Sequence, residues 1–118
     1  MSEAGYFYLA SPYTHEDQTV MVRRYEWVRD VAAFLSRSGL YCFSPIAHSH
    51  DMAIANRMPT NFEFWDDWNR CMIRGSCGII VLKMQGWELS KGVKAEIAYA
   101  REISKPVLYM GDPNDQHV

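Results

Sequence analysis

A glutamate on the apolar face of the last predicted helix is the first residue whose position suggests chemistry. On a helical projection, Glu96 points with the stripe that contains Val93, Ile97 and Ala100. A carboxylate in such a stripe needs hydrogen-bonding or charged partners, or it has a functional role, because burying a lone charge is unfavourable. The alternative is that Glu96 lies at the margin of the stripe and extends its carboxylate to solvent.

The start of the same helix and one arginine are candidates for binding an anion. Ser90 is the predicted N-cap, Gly92 lets a ligand approach the backbone closely, and the first N–H groups of a helix lack partners. Every capped helix shares most of these features, so this signal alone is weak. Arg24 lies inside the apolar arc of the first predicted helix, where it could meet a phosphate or carboxylate. An ion pair with a neighbouring acid is the alternative for Arg24.

The middle predicted helix carries polar residues that face different directions. Asn69 points inward together with Trp65 and Met72. Asp66 lies on the margin of that face and is a weak site candidate. Asp67 faces solvent and is weaker still, since a solvated helix face explains it.

Other patterns with chemical potential are less specific. His48, His50 and Asp51 have the residue types of a metal site, but two histidines at i, i+2 without a matching pair elsewhere are poor evidence for zinc. The cysteines have neither a C-x-x-C pair nor a basic partner at a defined spacing, which argues against a thiol nucleophile. Walker A and G-x-G-x-x-G motifs are absent from the sequence. We therefore expect no metal and no cofactor.

The elements that must position these residues alternate between strands and helices. We predict strands at 6–10, 40–44, 78–83 and 106–110, and helices at about 15–38, 60–76 and 91–104. Thr14 is the expected N-cap of the first helix and Gly39 its stop, while Thr60 and Glu63 form a capping box for the second. Residues 45–59 are predicted to be a long connection with a short helical turn at 52–55.

This alternation predicts an α/β fold, namely a small flavodoxin-like parallel sheet of four to five strands with helices on both faces. In such folds ligands bind outside the carboxyl ends of the strands. The candidate site therefore consists of the segments that follow the strands, at 11–15, 45–51 and 84–96.

Composition limits the function classes. The 118 residues fit a single domain, with a predicted folded core at 5–110 and a loose tail at 111–118. A net charge of −2 without a Lys/Arg run argues against binding a nucleic acid polymer, and no apolar run is long enough for a membrane span. Three cysteines and no secretory signal pattern predict a reduced, cytoplasmic protein. Five Phe, seven Tyr and four Trp exceed the needs of a small core, so some rings should line a pocket or a subunit contact.

Three segments resemble one enzyme superfamily. They are Tyr8-Leu-Ala-Ser-Pro-Tyr13, Phe43-Ser-Pro-Ile-Ala-His48-Ser-His50, and Gly86-Trp-x-x-Ser90-x-Gly92-Val-x-x-Glu96. They are similar to segments of the nucleoside 2-deoxyribosyltransferases and the nucleoside 5′-monophosphate N-glycosidases, and more closely to a small bacterial and phage branch of that superfamily. The resemblance extends from Tyr6 to Met110, and the Ser-x-Gly-x-x-x-Glu segment is its most specific part.

The resemblance implies a role for each of the unusual residues. Glu96 matches the nucleophile that attacks the anomeric carbon, and Tyr8 matches a tyrosine that orients it. Ser90 stands where the transferases have Asp and where the monophosphate hydrolases have a Ser that contacts the 5′-phosphate. A hydroxyl there tolerates a dianion that Asp would repel, and Arg24 would add positive charge. The implied activity is hydrolysis of a (deoxy)nucleoside 5′-monophosphate to a free base and a sugar 5-phosphate.

One position departs from the superfamily pattern. Its members place an Asp on the middle helix to protonate the departing base, and the best match here is Asn69, which cannot act as an acid. Either Asp66 substitutes from one turn earlier, or another group protonates the base, or the protein has lost turnover.

The remaining expectations concern binding. We expect substrate contacts from Ser11, Tyr13, Arg24, His48, Trp87, Ser90 and Gly92. The rings of Tyr13, Trp65 and Trp87 could stack on the base, with core packing an equal alternative for Trp65. Alternative functions are base transfer between deoxynucleosides and a catalytically silent nucleotide-binding module. A phosphoacceptor or flavin domain is disfavoured, because the turn after the first strand lacks the acidic pair or Thr/Gly loop that these domains need. Since a neighbouring subunit helps close the site in the resembled superfamily, a homodimer or higher assembly is expected.

Overall fold

The computed structural model describes residues 5–112. In chain order its elements are β1 (Phe7–Ala10), α1 (Gln18–Arg37), β2 (Cys42–Phe43), α2 (Pro45–Ala55), α3 (Phe62–Arg74), β3 (Gly78–Lys83), a 3₁₀ turn (Trp87–Leu89), α4 (Lys91–Glu102) and β4 (Val107–Gly111). The strands in this part of the chain form one parallel sheet in the order β2-β1-β3-β4. The predicted small flavodoxin-like α/β fold is confirmed.

The two faces of the sheet carry separate cores, because successive side chains of a strand point to opposite faces. In β3, Ile79 and Val81 pack with residues of α3 and α4. Their neighbours Ile80 and Leu82 pack with residues of α1 and α2. All four side chains are buried, as expected for a parallel strand that is covered on both sides.

Strand β1 lies in the interior of the sheet and positions one polar side chain. Tyr8 is paired with Phe43 of β2 and with Ile79 of β3. It belongs to the core that faces α3 and α4, whereas Leu9 belongs to the opposite core. The phenol of Tyr8 is completely buried and is directed toward α4.

Helix α1 begins later than predicted, and its N-cap is Asp17 rather than Thr14. The Oδ1 atom of Asp17 accepts hydrogen bonds from the backbone N–H and the hydroxyl of Thr19, at 2.9 and 2.7 Å. This carboxylate therefore satisfies a backbone donor in the first turn. The predicted stop at Gly39 is confirmed, since this residue follows the helix with φ of +88°.

Helix α2 is the largest departure from the sequence-based prediction. Much of the expected long connection at 45–59 is an 11-residue helix, Pro45–Ala55, instead of a short turn at 52–55. Ser44 caps it by accepting a hydrogen bond from the Ala47 N–H at 3.0 Å. A proline at the first helical position loses no hydrogen bond, because the N–H at that position has no partner within a helix. The Ser44-Pro45 pair that follows β2 can therefore also begin α2.

Smaller differences affect the ends of other elements. The capping box predicted at Thr60 and Glu63 is wrong: the N-cap of α3 is Asn61, which makes no side-chain capping bond. Strand β2 has two residues rather than the five predicted at 40–44. Strand β4 continues to Gly111, inside the predicted loose tail, and residues 113–118 of that tail lie outside the described residues.

Two general features complete the fold. Between residues 5 and 112, no helix is both long and apolar enough to cross a bilayer. The three cysteines are free thiols, and Cys71 and Cys77 are exposed.

Candidate functional site

A cavity of about 580 Å³ lies at the carboxyl-terminal edge of the sheet. Its walls come from the loop after β1, helix α2, the loop before α3, and the loop that leads into α4. This is the edge at which parallel α/β sheets bind ligands.

The carboxyl group of Glu96 is the central buried group of this cavity. Glu96 is 7% exposed and its Oε2 atom accepts a 2.7 Å hydrogen bond from the hydroxyl of Tyr8. The Nδ2 atom of Asn69, which is 8% exposed, lies 3.5 Å from the same oxygen. The carboxyl of Glu96, on α4, thus contacts side chains of both β1 and α3 and does not extend to solvent.

The surroundings of Glu96 favour its neutral form. Burial raises the pKa of Glu96 to about 8; the hydrogen bond from Tyr8 opposes this shift and the charge of Asp66 adds to it. No described residue forms an ion pair with Glu96. Burial and the nearby carboxyl also raise the pKa of Tyr8 well above its usual value, so its phenol remains a hydrogen-bond donor. Within residues 5–112, Glu96 therefore has no compensating cation.

The N-terminus of α4 lines another part of the cavity. The Oγ atom of Ser90 accepts a 3.2 Å hydrogen bond from the Val93 N–H. The N–H groups of Lys91 and Gly92 are in the first turn, where a helix offers no acceptor. Ser90, Lys91 and Gly92 all line the cavity. Glu96 lies six residues after Ser90, which is about 9 Å along the helix axis.

Arg24 reaches the cavity from α1. Its Nη1 atom donates to the backbone carbonyls of Tyr13 and Thr14, at 3.4 and 3.2 Å, and it forms no ion pair with any described residue. The guanidinium packs against Gly86, whose φ is +92°, and a Cβ atom at Gly86 would lie 2.7 Å from Arg24 Nη2. The backbone conformation therefore favours glycine here, and a side chain at this position would displace the guanidinium.

Ser11, which follows β1, contributes an unpartnered hydroxyl to the cavity. The side chain is 6% exposed, and its Oγ atom has no hydrogen-bond partner among the described residues. Buried polar groups are normally paired, so this hydroxyl is a candidate ligand contact.

Two aromatic residues predicted to meet the ligand also line the cavity. The Nε1 atom of Trp65 donates to the Pro59 carbonyl at 2.8 Å, which fixes the indole beside the cavity rather than in either core. The hydroxyl of Tyr13 lies 2.6 Å from His50 Nδ1, and burial raises the pKa of Tyr13 to about 12.

The sequence of the chain matches one known protein family. A family model described as a domain of unknown function (DUF1937) matches residues 5–112. The chain belongs to this family. No curated protein shows a significant match to the chain. Because the DUF1937 match includes every element from β1 to β4, it covers the whole cavity.

The DUF1937 domain does not bring every predicted site residue into the cavity. The ring of His48 lies against Trp68, with ring centres 4.9 Å apart, at a shallow surface depression between α2 and α3. Trp87 packs against the core under α3 and α4 and lies 5.8 Å from Tyr109, measured between ring centres. Neither is among the residues that line the cavity. The prediction that His48 and Trp87 contact the ligand is thus not supported by their positions, because packing against Trp68 and against the α3–α4 core turns the two rings away from the cavity.

The two aspartates of α3 also lie outside the cavity lining. Asp66 is partly buried and its Oδ2 atom is 3.2 Å from the Nε atom of Arg70, one turn later. Asp67 is exposed, as the helical projection predicts.

Several cavity residues of the DUF1937 domain escaped the sequence reasoning. They are Ala53, Thr60, Asn61, Phe62 and Glu63. Lys91, which lies in the predicted segment 84–96, forms an ion pair with Glu63 and so joins the start of α4 to the start of α3. The sequence at residues 60–63 indicated only the start of a helix and gave no signal of a site.

The histidine pair of the DUF1937 domain has a packing role. His50 stacks on Tyr25 with ring centres 4.1 Å apart, and Tyr25 donates to Asp51 at 3.1 Å. Residues 5–112 contain no group of three or more His, Cys, Asp or Glu side chains that could hold a metal ion.

Proposed function

We propose that the protein is a nucleotide N-glycosidase, which hydrolyses a (deoxy)nucleoside 5′-monophosphate to a free base and a sugar 5-phosphate. The observation that carries this proposal is the buried carboxyl of Glu96 in the wall of a ligand-sized cavity, held by the hydroxyl of Tyr8. The motif resemblance to the nucleoside 5′-monophosphate N-glycosidases supports the same assignment.

The proposed reaction uses Glu96 as nucleophile. Breaking an N-glycosidic bond builds positive charge on the sugar carbon, which a nearby carboxylate stabilises and then traps. Glu96 attacks C1′, the base leaves with the bonding electron pair, and water hydrolyses the resulting glycosyl ester. The hydrogen bond from Tyr8 to Oε2 keeps the carboxyl in one orientation. Its pKa of about 8 means that either alkaline pH or a positive charge on the substrate must favour the reactive anion.

The 5′-phosphate is proposed to bind at the start of α4. The free N–H groups of this helix and the positive end of its dipole favour an anion. The hydroxyls of Ser90 and Ser11 and the guanidinium of Arg24 line the same cavity. The separation of about 9 Å along α4 between Ser90 and Glu96 leaves room for one pentose.

Two alternatives remain as competing proposals. Asn69 in the place of an acid favours a catalytically silent nucleotide-binding module. Base transfer between deoxynucleosides is less favoured, because the transferases have Asp where this chain has Ser90.

The decisive experiment is to incubate the protein with a panel of ribo- and deoxynucleoside 5′-monophosphates and to measure free base by chromatography. We expect base release by the wild type and a loss of about 10³-fold or more in Glu96→Gln. The exposed Asp67→Asn is the matched control and should keep wild-type activity.

The same panel separates the alternatives. If no nucleotide releases base, but nucleotides raise the melting temperature of both wild type and Glu96→Gln, the protein is a binding module. Base exchange onto an added free base would indicate a transferase.

We also propose that the protein forms a homodimer or higher assembly, through which a second copy closes the cavity. Large apolar side chains remain exposed just before β2 and on α3, namely Tyr41, Phe64 and Trp68. Light scattering at working concentrations should show an assembly larger than the monomer, and a monomer alone would contradict this.

A further inference from the structure

We propose that the substrate is a nucleoside 5′-monophosphate whose glycosidic nitrogen carries a permanent positive charge, as in a pyridinium or an N7-alkylpurine nucleotide. The proposal rests on the proposed N-glycosidase function and names its substrate class. It follows from an amide, Asn69, standing beside Glu96, and from the absence of a suitable acid among the described residues that line the cavity.

The charge of the base decides whether an acid is needed. A neutral base leaves as an anion unless a proton is delivered to it, and general acids supply that proton in the transition state. A cationic base has no such requirement. Glu96 forms a bond to C1′ as the C1′–N bond breaks, and the electron pair goes to the ring nitrogen, which becomes neutral. Water then adds its hydroxyl to C1′, releases a proton to solvent and regenerates the Glu96 carboxylate.

The carboxyl groups near the cavity are unsuited to protonating the base. Apart from Glu96, the only described carboxyl residue in the lining is Glu63. Hydrogen bonds from Lys91 and Asn61 lower the pKa of Glu63 to about 2, so this group is ionised. Asp66 pairs with Arg70 and does not line the cavity.

The other titratable groups of the lining are no better placed. Burial raises the pKa of Tyr13 to about 12, and its hydroxyl is engaged with His50. Arg24 donates to the carbonyls of Tyr13 and Thr14, and Lys91 is paired with Glu63. His15 is exposed in the loop after β1, and its Nδ1 atom accepts a hydrogen bond from the Asp17 N–H.

The charges around Glu96 are complementary to a cationic base. Glu96 has no ion-pair partner in the described part of the chain, and the carboxyl of Asp66 adds to the negative field there. A cationic ring in the cavity would therefore favour the ionised, nucleophilic form of Glu96. The aromatic faces of Trp65 and Phe62, which line the cavity, can also stabilise a cation.

A matched pair of nucleotides tests the proposal: 7-methylguanosine 5′-monophosphate against guanosine 5′-monophosphate, which differ by one methyl group and one positive charge. Release of base is measured below the pH at which the methylated ring loses its N1 proton, and the rates without enzyme are subtracted. Nicotinamide mononucleotide serves as the pyridinium probe. We expect kcat/KM for both cationic probes to exceed that for guanosine 5′-monophosphate by about 100-fold or more.

Asn69→Asp sharpens the test, because it introduces an acid beside the leaving base. It should raise cleavage of guanosine 5′-monophosphate by about 10-fold or more and leave cleavage of the methylated nucleotide without a comparable gain. Gln18→Glu makes the same amide-to-carboxyl change on an exposed residue away from the cavity and should alter neither rate. If Asn69→Asp does not fold, the wild-type comparison still decides.

The outcomes separate this inference from the proposed function. Equal cleavage of the neutral and cationic nucleotides, abolished in Glu96→Gln, would overturn the cationic substrate class and leave the N-glycosidase standing. Absence of cleavage with every probe would overturn both.

Discussion

The two ends of the cavity differ in charge, although one helix contributes to both. At the Glu96 end the neighbours are Tyr8 and Asn69, which are buried, neutral hydrogen-bond donors, and no described cation pairs with the carboxyl. At the α4 start, free N–H groups and the guanidinium of Arg24 supply positive charge, whereas the charge of Lys91 is balanced by Glu63. A ligand with a negative end and a positive or neutral end would therefore bind in one orientation only. If Glu96 is the nucleophile, as proposed, its carboxyl is kept away from cations that would weaken its attraction for positive charge on the sugar.

The largest expected effect is on stability and concerns the Glu96 end. Because the folded state holds this carboxyl protonated up to about pH 8 and the unfolded state releases the proton above about pH 4.5, stability falls as pH rises between these values. Because glutamine does not ionise, Glu96→Gln should not lose stability in this way as pH rises. It should be more stable than wild type by about 4 kcal/mol at pH 8, with little difference at pH 4.

Thermal melts across this pH range measure the difference. The exposed Glu88→Gln should show no such trend. A gap between Glu96→Gln and wild type that does not grow with pH would mean that folding does not raise the pKa of Glu96, and it would contradict the uncharged environment described at that end of the cavity.

The next effect is on the pH dependence of catalysis. If ionised Glu96 is the nucleophile, kcat/KM should rise by about 10-fold per pH unit below pH 8 and level off above it. Tyr8→Phe removes the hydrogen bond that lowers this pKa, so the rise should move to higher pH. Initial rates at low substrate concentration provide the profile, and a profile unmoved by Tyr8→Phe would contradict this role of the phenol.

At the α4 start, Ser90→Asp should weaken binding of the phosphorylated substrate. Asp keeps the helix cap but places a negative charge beside the proposed phosphate, so KM should rise by about 10-fold or more. Ser90→Asn, which also caps a helix but carries no charge, is the control. For the unphosphorylated nucleoside, the KM values of the two variants should differ much less. If the two variants differ equally for the nucleotide and the nucleoside, the phosphate binds elsewhere.

The smallest effect is expected from Gly86→Ala. The new Cβ atom would displace the Arg24 guanidinium, and the positive φ would be strained, at a cost of about 1 kcal/mol. KM for the monophosphate should rise several-fold. Gly39→Ala is a matched control, because Gly39 also has a positive φ but has no neighbouring atom within 4 Å. If both variants bind the nucleotide equally well, Arg24 does not contact the phosphate.

The directions of helical side chains were predictable from the sequence, since a helix of known pitch fixes which residues share a face. Glu96 and Asn69 point inward and Asp67 outward for this reason. The bounds of β3 were also predictable, because a fully buried parallel strand is a continuous apolar run bounded by Gly78 and Lys83.

The parts that could not be predicted depend on contacts between distant segments. Thr14 and Asp17 are both good caps, and nothing local decides between them. The Ser-Pro pair before α2 fits both a strand end and a helix start. The directions of His48 and Trp87 are set by packing against Trp68 and Tyr109, which no spacing within their own segments could report.

The interior position of β1 has a consequence for the timescales on which the cavity moves. The backbone of Tyr8 is paired with a neighbouring strand on each side, so it can be displaced only when the sheet itself opens, which is a rare event. The walls around Ser11 and Asn61 belong to loops, whose rearrangements take nanoseconds to microseconds. The walls of the cavity can therefore rearrange quickly while the backbone that carries Tyr8 stays in place.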